Sequence, residues 1–129
     1  MSGDTSINTE SIEASYRDLT GTVPASITER IRLNTLGDRE SSMVAIEALR
    51  DQLIMHNPLD RKTSQLVHFG QLLALGEEAA SLHAGAAKKA GATLVELLGV
   101  VELALITAGM PAYSRGIEIV GALFPSGHD

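Results

Sequence analysis

Apolar residues recur at steps of three and four along most of this chain. Over 40–56 they fall at Met43, Ile46, Leu49, Leu53 and Ile54, one face of a helix, and the spacing predicts that face as core. Over 61–75 the corresponding face is Leu66, Phe69, Leu72 and Leu73. Segment 26–36 is apolar at Ile27, Ile31, Leu33 and Leu36, and 11–19 reads as a short helix. Segment 77–90 is mostly alanine and glycine, 94–108 is the most apolar stretch, and 111–123 forms the last helix. No run alternates with period two long enough to make a strand.

Turn and cap residues divide these segments. Gly21 stops the first, Pro24 suits a first helical turn, and Gly37-Asp38 breaks the second. Asn57-Pro58 ends the third, because the residue before proline is pushed out of the α region. Asp60 caps the fourth helix, and Gly91 is a left-handed stop after the fifth. Thr93 and Glu96 have the spacing of a capping box. Gly109 ends the sixth helix, Pro111 opens the seventh and Pro125 terminates it. The chain reads as all-α, with six or seven helices in a single domain over 1–129, and residues 1–10 are expected to be loose. Gly70, Gly85, Gly99, Gly116 and Gly121 each cost about 1 kcal/mol against alanine inside a helix. Together they predict helices in close contact, as does the small face Ala79, Ala80, Ala84, Ala86 and Ala87.

The formal charge of −6 argues against a nucleic-acid partner, which wants a basic face. Aromatic residues are only 3%, so the core is built from aliphatic side chains. Segment 94–108 carries Glu96 and Glu102 and is too short and too charged to span a bilayer. The polar start lacks a basic run followed by an apolar one, so it is not read as a signal peptide, and a cytoplasmic location is expected. With no cysteine, disulfides, thiolate metal sites and thiol redox chemistry are excluded in this chain.

Several motifs occur in order: Leu-Asp-Arg-Lys-Thr entering a helix at 59–63, His83 in a small-residue helix, Ala-Gly-Ala-Thr at 90–93, and Ala-Gly-Met-Pro-Ala at 108–112. Gly21-Thr-Val-Pro24 precedes them. The layout resembles the carboxymuconolactone decarboxylase and alkyl hydroperoxidase D superfamily. The resemblance implies an orthogonal helix bundle of the alkyl hydroperoxidase D type and a homo-oligomer, either a trimer or a hexamer built from trimers. The superfamily usually carries Cys-x-x-Cys-x-x-x-His. Counted back from His83, the cysteine positions are Gly76 and Ala79, so a thiol peroxidase is excluded. The hydroperoxidase branch's glutamate and its intervening histidine fall on Ser64 and Glu78. The decarboxylase branch commonly lacks the cysteines and has a carboxylate one turn before the histidine. Here Glu78 and Glu77 precede His83 by five and six residues.

His83 is the first candidate for acid–base work, against a histidine that merely bonds a backbone carbonyl. Glu102 is the second. It stands among Val100, Val101, Leu103, Ala104, Leu105 and Ile106, which predicts a costly buried carboxylate, the alternative being the helix's one wet stripe. His68 is the third, one turn after Ser64 on the same helix face, against a surface histidine. Ser64, Glu78, Tyr113 and Arg115 are candidate substrate-binding residues, Arg115 as a carboxylate holder; the alternatives are a first-turn acid for Glu78 and a solvated cation for Arg115. His56 reads as a helix-end contact, and His128 has no assigned role. No pair has His-x-x-x-His or Glu-x-x-His spacing, so no metal site is expected. The favoured function is a cofactor-free lyase or isomerase of decarboxylase or lactone type. It would act on a small organic acid, lactone or enol through a histidine–carboxylate pair. The alternative is a catalytically silent, oligomeric ligand-binding or accessory protein on the same scaffold.

Overall fold

The computed structural model describes residues 8–126. They form seven helices: α1 Thr9–Thr20, α2 Ala25–Leu36, α3 Glu40–Ile54, α4 Arg61–Leu75, α5 Ala79–Lys89, α6 Leu94–Ala108 and α7 Met110–Leu123. There is no strand among the described residues. No described helix is long and apolar enough to cross a membrane. The contacts separate into two compact units, one ending at Pro58 and one beginning at Leu59.

In the first unit, α1 starts earlier than the apolar pattern indicates. The Asn8 side chain accepts from the Ser11 N–H, and the Asn8 N–H donates to the Ser11 hydroxyl. This reciprocal cap satisfies two helix-end groups, so Thr9 and Glu10 are helical rather than loose. Residues 1–7 of the expected loose segment, and His128, lie outside the described residues. Gly21 ends α1 in the left-handed conformation at φ 94°.

Helix α3 corrects the expected core face. Its buried residues are Met43 and Glu47, while Ile46, Leu49 and Leu53 are 63%, 60% and 57% exposed. The face turned to α1 and α2 carries one apolar side chain and one acid. Glu47 is tolerated there because it is paired. It accepts from the Tyr16 hydroxyl at 3.1 Å and from Arg30 Nη1 at 2.7 Å. The Arg50 guanidinium lies 4.1 Å from the centre of the Tyr16 ring. The three helices of this unit are joined by polar contacts as much as by Ile12, Ile27 and Met43.

Glu47→Ala strips a partner from a buried hydroxyl and from Arg30, whose side chain is 43% exposed and stays partly hydrated. The expected loss is about 2 kcal/mol, read as a lower urea midpoint. Burial, ahead of the neighbouring charges, pushes the Tyr16 hydroxyl above its ordinary 10.0. The folded state therefore keeps that proton longer than the unfolded chain does. The stabilising contribution is complete below about pH 10 and is lost as pH rises through the folded-state value.

In the second unit, Asp60 caps α4 by accepting from the Thr63 N–H, and Gly76 closes the helix at φ 75°. Thr93 and Glu96 form the expected capping box on α6. Glu96 also receives Lys62 at 2.9 Å, which links the starts of α4 and α6. Phe69 and Leu73 of α4, Leu97 and Val101 of α6 and Val120 of α7 make the core with the alanines of α5. Ala80, Ala84 and Ala87 are fully buried. Their small side chains let α4 and α5 approach closely, and His83 is carried on the same face of α5.

The helix glycines divide into two kinds. A Cβ on Gly116 would fall 2.7–2.9 Å from Val101 and Leu73, and one on Gly70 would fall 3.0 Å from Val100. At Gly99 and Gly121 an added Cβ meets nothing within 4 Å, so close packing within the chain does not explain those two. Gly116→Ala is expected to cost about 1–3 kcal/mol from overpacking, and Gly99→Ala to add about 0.5–1 kcal/mol from helix propensity. Thermal melts of the two variants should move in opposite directions.

Candidate functional site

The site is built on one face each of α4 and α5. On α4, Gln65, Phe69 and Leu73 recur every fourth residue and are buried, so Gln65 occupies a core position. On α5, His83 sits within the alanine face and is only 4% exposed. The close approach of the two helices brings His83 Nδ1 to 2.6 Å from the amide oxygen of Gln65. Both groups are buried, and this contact gives each a hydrogen-bond partner. With the amide oxygen facing it, Nδ1 is the protonated nitrogen of the neutral ring, and Nε2 holds the lone pair.

His68 lies on α4 next to this pair. Its ring centre is 4.0 Å from that of His83, with the planes inclined by 42°. His68 is only half-buried. Two imidazoles in contact, one interior and one nearer solvent, are suited to pass a proton between an enclosed atom and bulk water.

The remaining candidates are placed elsewhere. Glu102 is exposed on α6, so the buried carboxylate expected there is corrected. Its flanking apolar residues are no shield, since Leu103 and Ile106 are 69% and 83% exposed. Glu78 is exposed at the start of α5, and its carbonyl accepts from the Ser81 hydroxyl. Ser64 donates its hydroxyl to the Arg61 carbonyl within α4. Tyr113 packs against the core of the second unit. Arg115 lines a separate cavity of about 250 Å³, and its buried Nε has no hydrogen-bond partner. His56 Nε2 lies 3.4 Å from Asp51, a helix-end contact as expected.

A larger groove of about 430 Å³ runs between α4 and α6, lined by apolar residues such as Leu66, Val67, Val100 and Leu103. Neither Ser64 nor His68 lines it. Gln65 is the residue that the apolar pattern does not single out. Its signal is present in the sequence as a polar side chain four and eight residues before Phe69 and Leu73.

The model of the carboxymuconolactone decarboxylase family matches residues 40–121, more than half of the chain. No curated protein and no solved structure matches.

Proposed function

The chain belongs to the carboxymuconolactone decarboxylase family, and from that premise we propose that it is a cofactor-free lyase or isomerase. Its substrate is a small organic acid, lactone or enol-type metabolite. The observation that carries the proposal is the buried His83, fixed at Nδ1 by Gln65 and in contact with His68. In this reading His83 is the acid–base residue. His68 takes the part that the sequence pattern assigns to a carboxylate.

For a β-keto acid, the bond to the carboxylate carbon breaks and carbon dioxide leaves. The electron pair remains as an enolate, and protonated His83 delivers a proton to its carbon. For an isomerisation, Nε2 removes a proton beside a carbonyl and returns it at another position. Each path requires one mobile proton and no redox partner. Turnover of a panel of lactones and β-keto acids, followed by carbon dioxide release and by proton NMR, tests the proposal. Absence of turnover across the panel, with the folded protein binding one of its members, favours the silent ligand-binding alternative.

A homo-oligomer, trimeric or hexameric, and a cytoplasmic location belong to the same proposal. Val95, Leu103 and Ile106 of α6 are 77%, 69% and 83% exposed, which is costly to leave in water as a group. Light scattering is expected to give three or six times the chain mass. A stable monomer at micromolar concentration contradicts it.

A further inference from the structure

We infer that the cavity beside Arg115 is a binding site for a small monocarboxylate. The cavity measures about 250 Å³ and is lined by Leu73 and Ala74 from α4, Ala108 at the end of α6, and Pro111, Ala112 and Arg115 from α7. Arg115 is the sole charged residue of the lining. Its Nε is buried and has no hydrogen-bond partner. None of the ion pairs formed among the described residues includes it.

A guanidinium does not shed its charge on burial, so the buried Nε–H of Arg115 calls for an acceptor. The lining side chains around Arg115 are hydrocarbon and supply none. The Nε–H and a neighbouring Nη–H point along one edge of the guanidinium, and that edge matches the two oxygens of a carboxylate.

Size and charge restrict the ligand. The volume, about 250 Å³, suits a short chain or a small ring as the part of the ligand held beside Arg115. One cation compensates one carboxylate. A second carboxylate on the ligand would be desolvated against Leu73 and Ala108 without a partner. The site therefore prefers monocarboxylates with an apolar body over dicarboxylates and over neutral isosteres. Binding is measured without turnover, so this site stands or falls independently of the chemistry proposed for His83.

The test is titration of the whole chain with butyrate, butyramide and succinate, followed by backbone NMR. Saturable shifts are expected at Gly76 and Ala112 with butyrate, with butyramide and succinate at least about 10-fold weaker, the size of a lost charge-assisted hydrogen bond. Arg115→Gln should weaken butyrate by about 10-fold or more. Arg115→Lys should fall between the two, because it keeps charge without the paired donors. Should Arg115→Gln not fold, the butyrate and butyramide comparison on the unaltered chain decides. No saturable butyrate binding, equal binding of butyramide, or undiminished binding by folded Arg115→Gln overturns the inference.

Discussion

His83→Ala is expected to lower kcat by about 10²-fold or more, the usual size of a general acid–base contribution. The effect should appear per folded molecule, because His83 lies in a packed face of α5 and its removal also opens a small space. Circular dichroism and a urea titration run alongside the kinetics separate the two effects. His68→Ala should act in the same direction, since it removes the proton route between His83 and water. Glu102→Gln should leave the rate unchanged, because Glu102 is exposed and is not part of the buried pair. Full activity in both histidine variants would remove the pair from the mechanism.

The second large effect is expected at Gln65. Gln65→Leu keeps the volume but removes the acceptor for His83 Nδ1–H, leaving a buried donor unpaired. The expected loss of stability is about 1–3 kcal/mol. Activity should fall as well, because the ring is no longer held in the tautomer that carries its proton on Nδ1. Gln65→Glu tests the same contact in the opposite sense. A carboxylate at 2.6 Å favours the imidazolium, so the His83 titration and the acid limb of the rate profile should both move to higher pH. If Gln65 only fills space, Gln65→Leu should leave both the stability and the rate unchanged.

The helices were legible because capping residues and apolar spacing agree over most of the chain. Thr93 with Glu96, Asp60 and Gly21 act where the sequence places them. Two errors share one physical cause. In α3 and in α6 the spacing identifies an apolar stripe but not what covers it. The stripe of Ile46, Leu49 and Leu53 is exposed, while Glu47 is buried through a tyrosine and an arginine distant in sequence. Glu102 was expected inside for the converse reason, since its neighbours are apolar yet several face solvent. Of the site, His83 and His68 were legible as candidates, but their contact depends on how closely α4 and α5 approach. Gln65 remained hidden because a buried amide is ordinary unless its partner is known.

The most direct measurement is a residue-specific ¹⁵N NMR titration of the two imidazoles, set beside the pH profile of kcat/KM once a substrate is found. With His83 as the acid–base residue, the neutral ring should be protonated at Nδ1 and unprotonated at Nε2. Its titration midpoint should also coincide with a limb of the rate profile. A ring protonated at Nε2, or a rate profile that ignores the titration of His83, would contradict the proposed chemistry.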